Sequence, residues 1–299
     1  MSSFSSSLVS KHNLCFIGLL ESKKEIIDAF LVRKLWPNLD YGFDWVPSLG
    51  AFGGLLLIWN SMLMQSVSIS KGTRWICFDF SFNSYNIRHI LIYASNLASE
   101  RLSMWAELIP LIAFQGMVFV SGDFNDILTP EERLNCVGYS ASMLALRDFL
   151  NVSELIDLPL QGRSFTWRNS FSRSRIDRCL VSISTANTWR SLSLSALPDG
   201  FSDHVPILIS SDVRIDWGSK SFRSVDAWWE HSEFSSFISS SWLSITGSDS
   251  SMSLIRKLKE LRSKIRSWNT DVFGDQNKKI LELAAEVSRL DLAVIPQNI

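Results

Sequence analysis

The stretch Met117–Asp126 reads MVFVSGDFND, and it decides the expected fold. Four apolar residues run directly into Ser-Gly-Asp-Phe-Asn-Asp, a pattern that indicates a short buried strand ending in a turn. Gly122 allows the chain to turn sharply there, and Asp123 and Asn125 then stand two positions apart. A carboxylate and an amide in this place suit a divalent cation, a phosphate, or a water molecule that must lose a proton. They equally suit a turn in which both side chains bond only their own backbone, so the rest of the chain must decide.

The composition is that of a packed globular protein. The chain has 299 residues, of which 46% are hydrophobic and 20% are charged, and its net charge is −1. This length predicts one large domain with an appendage, or two modest domains. The near-zero charge gives no general attraction to nucleic acid, so any such binding must come from local patches. The four cysteines are far apart and form no CxxC pair, which predicts free thiols rather than a zinc site or a disulfide framework.

No stretch of the sequence is long and apolar enough to predict a membrane span. Leu111–Val120 comes closest, but Gln115 and Gly116 interrupt it. The serine-rich N-terminus lacks the apolar segment of a signal peptide. We therefore expect an intracellular protein with no membrane partner, and nothing in the sequence indicates an oligomeric state.

Strands and helices are mixed irregularly over the first two thirds of the chain, which predicts an α/β domain with its site where strand ends meet. Met1–His12 is expected to be unstructured. The predicted strands are Leu14–Leu20, Leu55–Trp59, Arg74–Phe82, Ile87–Ala94, Met117–Val120, Ser164–Trp167, Arg175–Val181 and one within Phe201–Ile209. The predicted helices are Ser22–Trp36, one that Ser99 caps and that buries Leu102, Trp105, Ile109 and Ile112, and Ser140–Leu150.

After about Asp212 the sequence changes to tryptophans scattered among serines, followed by helical patterns, and we place a domain boundary there. Residues 1–212 are then one domain, and residues 213–299 are a helical extension. Its first long helix carries a coiled-coil-like stripe formed by Leu254, Leu258, Leu261, Ile265 and Trp268. Gly274 should end that helix, and a second is expected from about Lys278 to Leu292. Basic residues cover the other faces of the first helix, which suits either a solvated linker or a nucleic-acid-binding surface.

Seven polar residues lie at or just after predicted strand ends: Glu21, Tyr93, Asp123, Asn125, Asp177, Asp203 and His204. Each has a structural alternative. Glu21 suits a position before a helix N-terminus, Asp177 could pair with a neighbouring arginine, and His204 could be a core histidine. Tyr93 could be a half-buried aromatic and Asp203 could start a turn. Because all of them occur at the same kind of position, we expect Glu21, Asp123, Asn125, Asp177 and His204 to converge around one cleft.

Three motifs, taken in order, resemble those of the endonuclease/exonuclease/phosphatase superfamily: GDFN at Gly122–Asn125, SRIDR at Ser174–Arg178 and SDH at Ser202–His204. GLLESK at Gly18–Lys23 resembles the metal-binding glutamate segment of that family, and IYAS at Ile92–Ser95 resembles its tyrosine segment. The wider sequence is similar to the endonuclease domain of plant LINE-type non-LTR retroelements in FGGLLLIWN, SFTWRN, SRIDRCLVS, FRSVDAWWEHSEF and WNTDVFGD. In such elements a helical linker leads on to a reverse transcriptase.

The resemblance implies a DNase I-like fold, a four-layer α/β sandwich of two mixed β-sheets face to face with helices outside. It also implies hydrolysis of DNA phosphodiester bonds with Mg²⁺ or Mn²⁺, by an endonuclease expected in the nucleus. Glu21 would bind the metal, and Asp203 would be a second acidic contact to metal or water. Asp123 would orient and deprotonate the attacking water, and Asn125 would position that water or the phosphate.

The resemblance also implies which residues contact the phosphate. His204 would donate to a non-bridging oxygen, Asp177 would orient His204 and raise its pKa, and Tyr93 would contact the phosphate. Four arginines could hold the flanking phosphates of DNA without reading its sequence, namely Arg163, Arg168, Arg173 and Arg175.

The chain departs from the family pattern at its start. That pattern begins with a strand carrying an Asn, usually in a WN pair, and a helix before the glutamate strand. Met1–Asn13 offers neither in the sequence, so we expect an N-terminally truncated domain with impaired activity. Two alternatives stay open: a catalytically inactive nucleic-acid-binding or interaction protein, and another phosphodiesterase or phosphatase of the same fold. The latter class includes RNA deadenylases and inositol-phosphate or sphingomyelin phosphodiesterases.

Overall fold

A computed structural model describes residues 2–48, 53–198, 200, 202–211, 226–248 and 253–274, with 282, 283, 286 and 289 in addition. The chain divides into two compact units, Met1–Arg214 and Ile215–Ile299. Among the described helices, none combines the length and hydrophobicity that crossing a membrane requires. The four cysteines are free thiols, as predicted.

The first unit is built mainly from strands. These are β1 (Phe16–Leu20), β2 (Tyr41–Val46), β3 (Leu55–Asn60), β4 (Gln65–Lys71), β5 (Trp75–Phe82), β6 (Tyr85–Tyr93), β7 (Met117–Asp123), β8 (Leu155–Asp157), β9 (Leu160–Gln161), β10 (Trp167–Arg168), β11 (Arg173–Ser174), β12 (Asp177–Ser182), β13 (Ser193–Ala196) and β14 (Ile207–Ser210). The helices are α1 (Ser2–His12), α2 (Ala29–Leu35), α3 (Ala98–Ile112), α4 (Ala141–Val152) and α5 (Ile183–Thr188), with a 3-10 turn at Pro130–Glu132.

The centre of this unit is a six-stranded sheet in the order β4-β5-β6-β7-β12-β8. Strands β6 and β7 are parallel, and the other pairs are antiparallel. Two three-stranded sheets, β1-β3-β2 and β14-β13-β9, pack on one face of it through a shared apolar core. Helices α3 and α4 cover its other face, and α1 and α2 pack on the outer face of β1-β3-β2. The four-layer DNase I-like sandwich is therefore confirmed.

Strand β5 shows how the sequence pattern produces this layering. Its side chains alternate, and the structure places Ile76, Phe78 and Phe80 in the core between the sheets. Cys77 faces the core under α3 and α4 instead. Both faces of the strand are buried because successive side chains of a strand point to opposite sides.

The N-terminal residues differ from the expectation. Ser2–His12 forms helix α1 rather than an unstructured segment, because Val9 is 2% exposed and packs in the outer core with Trp36. A helix therefore does precede the glutamate strand. Within the described residues, no strand comes before β1.

The predicted helix Ser22–Trp36 is wrong over its first half. Helix α2 begins only at Ala29, where the Asp28 carboxylate accepts a hydrogen bond from the Leu31 amide. The amides of Ser22 and Lys23 instead donate to the carbonyls of Gly54 and Gly53. Glu21 and Lys23 both have positive φ, of 53° and 51°, which excludes a regular helix there. Ile26 and Phe30 are exposed, although the helical spacing would place them on one apolar side with Ile27 and Leu31.

Two other elements differ in detail. Helix α3 begins at Ala98 without a side-chain cap, so Ser99 is not its cap. Its buried face is shifted: Leu102 and Ile109 are exposed, whereas Met104 and Leu108 are buried with the predicted Trp105 and Ile112. Strand β2 was not predicted. Its half-buried aromatics alternate with small or charged residues, and it completes the sheet by pairing with β3.

The second unit is helical, with α6 (Asp226–Glu230), α7 (Phe234–Ser248) and α8 (Leu254–Phe273). Trp228, Phe234, Ile265 and Trp268 form its core. Gly274 ends α8, as predicted. Leu254 and Leu258 are exposed, so only the later part of the predicted stripe is buried. The second helix expected from Lys278 to Leu292 lies almost wholly outside the described residues.

A histidine lies inside the core between the sheets. His89, on β6, is 2% exposed, stacks between Phe78 and Phe119, and forms a 2.6 Å hydrogen bond with the Ser121 hydroxyl. Burial lowers the pKa of His89 to about 3. The folded protein therefore excludes a proton that the unfolded chain binds below about pH 6.5.

This difference predicts acid sensitivity. The free energy of unfolding should fall as pH drops from about 6.5 toward 3, by up to about 1.4 kcal/mol per pH unit for this one group. The variant His89→Phe/Ser121→Ala, which removes the titrating ring and its hydroxyl partner, should lose less stability over the same range. Urea unfolding from pH 7 to 4.5 measures both, and parallel curves for the two proteins would contradict the prediction.

Candidate active site

Three neighbouring strands bring the central candidates together. Tyr93 and Asp123 are paired in the register of β6 and β7, and Asp177 is paired with Asp123 in the register of β12 and β7. The end of β7 thus lies between the other two strands. Asp123 is 2% exposed and Asp177 is 6% exposed, so two carboxylates share a buried position.

Gly122 makes the close approach of β6 and β7 possible. Its φ is +135°, and a Cβ at this position would lie 2.0 Å from the carbonyl oxygen of Ile92. No L-residue fits such a space. The sequence singled out this glycine for the turn, and the structure adds that it lets the backbone of β6 pass next to the site.

The turn after β7 uses the side chains of the site itself. The Asn125 amide donates to Asp123 Oδ1 at 2.8 Å, and Asn125 Nδ2 donates to Asp123 Oδ2 at 3.2 Å and to the Ala94 carbonyl at 2.8 Å. The local turn considered from the sequence is therefore present. It fixes Asp123 and Asn125 against each other next to the strand ends.

A buried ion pair that the sequence did not indicate holds this turn. Arg101 on α3 donates through Nη1 to the carbonyls of Ser95 and Asn96, at 2.8 and 2.9 Å. Its Nη2 donates to Asp126 Oδ2 at 3.0 Å and to the Ser142 hydroxyl at 2.6 Å. Arg101 thereby ties the ends of β6 and β7 to the start of α4. An arginine on the apolar face of the helix was its only signal in the sequence.

His204 reaches the two carboxylates from the segment before β14. Its Nδ1 lies 2.9 and 3.1 Å from the oxygens of Asp177, and its Nε2 lies 3.9 Å from Asp123 Oδ2. Burial alone would lower the pKa of His204. The hydrogen bond to Asp177 and the nearby carboxylates more than offset this and raise that pKa to about 9. Near neutral pH the imidazole therefore carries a proton on each nitrogen, and Nε2–H remains able to donate.

The surroundings of Asp123 disfavour its charged form, whereas those of His204 favour the charged imidazole. Burial, followed by the charge of Asp177, raises the pKa of Asp123 to about 7, although His204 and the Asn125 amide act against this. Glu21 adds to the rise. A carboxyl with a pKa near 7 can accept a proton from a bound water, which is the property of a general base.

Glu21 joins the site through Tyr93. The Tyr93 hydroxyl donates to Glu21 Oε1 at 2.6 Å, and burial together with this bond raises the pKa of Tyr93. Glu21 is the residue after β1 and is exposed, with Lys23 Nζ 3.5 Å from its carboxylate. Asp203 lies beside His204 and accepts a 2.9 Å hydrogen bond from the indole of Trp167. Its carboxylate thus has a protein partner that the sequence did not indicate.

The arginines divide into two groups. Arg168 and Arg173 lie on the short β10–β11 hairpin, and they are partly exposed, as is Arg163. Arg175 does not fit the predicted role, because it donates to Glu132 Oε1 at 2.8 Å and Asp157 Oδ1 at 3.0 Å. Its side chain is 14% exposed, which leaves it unable to hold DNA phosphates.

The group Asp123, Asp177 and His204 offers oxygen and nitrogen atoms within 4.8 Å of one another. A protonated His204 bonded to Asp177 is not a metal ligand, since ligation needs the neutral ring. Carboxylate oxygens, which Glu21, Asp123 and Asp203 offer, are the donors that a hard divalent cation prefers. Burial and then the charge of Asp177 raise the pKa of Asp123, and a nearby cation would act against both effects.

Two facing layers of β-sheet with helices outside, and a part-buried Asp–His pair at the strand ends, define the chain as a DNase I-like α/β protein. The family follows from its sequence. Residues 7–204 match the Endonuclease/Exonuclease/phosphatase family, and the chain belongs to that family. A comparison with curated proteins found no match.

Solved structures agree on the fold. The AP endonuclease LMAP from Leishmania major has a TM-score of 0.55 at 14% identity, over 70% of this chain and 81% of that one. An AP endonuclease from Archaeoglobus fulgidus has a TM-score of 0.54 at 14% identity, over 71% and 94%. The endonuclease domain of TRAS1, a telomere-specific non-LTR retrotransposon, has a TM-score of 0.51 at 10% identity, over 72% and 93%. Identities this low show the fold alone.

Proposed function

We propose that this chain is a DNA endonuclease of retroelement origin that hydrolyses phosphodiester bonds with Mg²⁺ or Mn²⁺. The observation that carries the proposal is the arrangement of His204 between Asp177 and Asp123. A doubly protonated imidazole faces a buried carboxyl whose pKa is about 7. This pairing supplies a donor for a phosphate oxygen and an acceptor for a water proton in the same cleft.

Each residue then has a defined task. Asp123 accepts the proton of the attacking water, and Asn125, fixed by the Ala94 carbonyl, positions the water or the phosphate. His204 Nε2–H donates to a non-bridging oxygen, where negative charge increases in the transition state. Asp177 accepts from Nδ1–H and so keeps the ring in one orientation.

Glu21 is the proposed main ligand of the metal, with Asp203 as a second acidic contact to metal or water. When bound, a divalent cation neutralises phosphate charge and stabilises the departing oxygen. The carboxylate of Glu21 suits a weakly held cation, because its side chain is 44% exposed and stays in contact with water. Tyr93 orients Glu21 through its hydroxyl and would contact the phosphate.

Metal binding can be measured directly. Calorimetry with Mn²⁺ should detect a weak site that Glu21→Gln weakens by about 10-fold or more, by loss of a charged ligand. Glu25→Gln, an identical change at an exposed position four residues away, should leave the affinity unchanged. If Glu21→Gln and the unaltered protein bind Mn²⁺ equally, Glu21 is not the ligand.

DNA as the substrate and a retroelement as the origin rest on sequence resemblance. The segments SFTWRN and SRIDRCLVS are similar to those of plant LINE-type endonucleases, and the TRAS1 domain shares the fold. A DNA substrate also favours the nucleus as the site of action. The hairpin arginines Arg168 and Arg173, with Arg163 nearby in the sequence, would contact phosphates on either side of the cleaved bond.

Loss of the hairpin arginines should weaken DNA binding and reduce its salt dependence. For Arg168→Ala/Arg173→Ala, we expect the slope of log K against log salt to fall by about 1.8, because each lost phosphate contact removes about 0.9 on duplex DNA. Fluorescence anisotropy in EDTA, which prevents cleavage, measures this slope. Arg147→Ala/Arg190→Ala removes two exposed arginines elsewhere in the same unit and should change the slope much less. Equal effects of the two pairs would refute a specific role of the hairpin.

A further inference from the structure

Helix α8 is a positively charged element in a protein that is otherwise acidic. Its twenty residues contain six basic and two acidic side chains, which leaves 23 of the 29 basic and 28 of the 30 acidic residues to the rest of the chain. Local charge of this kind attracts polyanions even when the net charge of the protein is near zero.

The charge is concentrated on one side of the helix. At 3.6 residues per turn, six residues of α8 fall within about 100° of its surface, namely Arg256, Lys259, Ser263, Arg266, Ser267 and Thr270. All six are exposed, and we call them the outer face of α8. This face lies opposite Leu261, Ile265 and Trp268, which pack in or against the core of the helical unit.

The composition of the outer face is that of a phosphate-binding surface. Arginine, lysine, serine and threonine supply only cationic or hydroxyl donors, and neither acidic residue of the helix, Glu260 or Asp271, falls within that arc. Its charges extend from Arg256 to Arg266, about 15 Å along the helix axis at 1.5 Å per residue. That length exceeds the roughly 12 Å width of the major groove of B-DNA and so can reach phosphates on both of its sides.

The spacing of residues along α8 shows which basic side chains have an acidic side chain next to them on the helix and which do not. Side chains three or four positions apart on a helix interact. Lys257 and Lys264 both stand at such positions relative to Glu260, so their charges have a carboxylate nearby. Lys259 and Arg266 have no acidic residue at these spacings. Both instead have Arg262 at three or four positions, a like-charge arrangement that destabilises a helix on its own.

We infer that the outer face of α8 binds the sugar-phosphate backbone of duplex DNA, independently of the catalytic cleft. The choice of DNA over RNA rests on the function proposed above, whereas the phosphate-binding property rests on α8 alone. A bilayer is a poorer partner for this face, because an interfacial helix needs exposed apolar residues beside its charges. The outer face itself holds no apolar residue: Ile265 and Trp268 are buried, and the exposed Leu254, Ile255 and Leu258 lie outside its arc.

The helix itself provides a matched pair of variants. Lys259→Glu/Arg266→Glu reverses two charges seven residues apart on the outer face. Lys257→Glu/Lys264→Glu reverses two charges at the same spacing on the other side of the helix. Both variants change the net charge equally, and circular dichroism with urea unfolding establishes that each remains folded.

The experiment measures binding of the full chain to a short labelled DNA duplex in EDTA over a range of salt concentrations. For the outer-face variant we expect affinity at low salt to fall by about 10-fold or more, and the slope of log K against log salt to fall by about 1.8. The other variant should lose less than about threefold, since it removes no phosphate contact. If the two variants lose affinity equally, or neither loses any, the outer face is not a binding site.

Two further ligands test the choice of partner. Single-stranded RNA of the same length, or vesicles containing phosphatidylserine, should bind more weakly and respond less to the outer-face variant. Stronger, outer-face-dependent binding of either ligand would overturn duplex DNA as the partner. Nicking by the same variants separates this inference from the proposed catalysis. Any nicking that remains in the outer-face variant should still require His204. A protein that binds DNA through α8 but does not nick it would refute only the catalytic proposal.

Discussion

Replacing His204 by alanine should reduce Mg²⁺-dependent nicking of supercoiled plasmid by roughly 10²- to 10³-fold, the usual cost of one donor to a developing negative charge. The geometry gives the reason. Asp177 holds Nδ1 at 2.9 Å, so Nε2–H is the only ring donor left to face a phosphate near Asp123. Asp177→Asn should cost less than His204→Ala, because the ring keeps its place while losing its charged partner.

A matched control and a stability measurement make this result interpretable. His12→Ala is the same substitution on helix α1 and should leave nicking within about threefold of the unaltered protein, the range expected for a residue outside the site. Unfolding midpoints should show that His204→Ala remains folded at the assay temperature. Full nicking by folded His204→Ala would remove the imidazole from the mechanism.

Arg178→Met should have the largest effect on stability, a loss of about 3 to 5 kcal/mol in the free energy of unfolding. The Arg178 side chain is 0% exposed, and its guanidinium donates to Glu132 and to Asp157 Oδ2 at 2.7 Å. Its removal leaves two largely buried carboxylates that, among the described residues, keep Arg175 as their cationic partner. Removing one partner from a buried ion network costs far more stability than the intact network contributes.

Urea unfolding measures this loss, with Arg190→Met as the control at an exposed position. The control should change stability by less than about 0.5 kcal/mol. The substitution should also reduce nicking, because Arg178 directly follows Asp177 and anchors the start of β12. A loss below about 1 kcal/mol for Arg178→Met would show that the network relaxes around the missing charge.

The strand ends of the site were predictable because each motif is local. In Met117–Asp126 the apolar run, the glycine and the acidic residue lie within ten positions, and burial of the run determines where the turn must come. Once several such ends belong to one sheet, their side chains meet. This is why Tyr93, Asp123 and Asp177 occupy facing positions in the register.

The partners of the buried arginines were not predictable in the same way. Arg101 bonds Asp126 across 25 positions, and Arg178 bonds Glu132 across 46. No local pattern identifies a partner at that distance. The alternation of β12 does separate Asp177 from Arg178, since neighbouring side chains of a strand face opposite sides. In the SRIDR segment, Arg178 therefore faces away from Asp177. Because the strand is buried, Arg178 is better suited to an ion pair than to a phosphate contact.

Helices were harder to predict where tertiary packing, rather than local propensity, determines whether a segment is helical. The serine-rich Ser2–His12 has weak helix propensity, yet contacts such as that of Val9 in the outer core stabilise it. The opposite holds after Glu21, where an apparently helical pattern yields to backbone hydrogen bonds with Gly53 and Gly54. In both places tertiary contacts outweigh a local preference.

Plasmid nicking by the purified full chain tests the central claim most directly, with three proteins compared in Mg²⁺ and in EDTA. The unaltered protein should convert supercoiled plasmid to the open circle in Mg²⁺ only. Asp123→Asn should be slower by about 10³-fold or more, because loss of the acceptor carboxylate adds to the loss of a metal contact. Asp148→Asn, the same change on an exposed face of α4, should nick at the normal rate. Nicking that persists in EDTA, or that is equal in all three proteins, would contradict a metal-dependent endonuclease centred on Asp123.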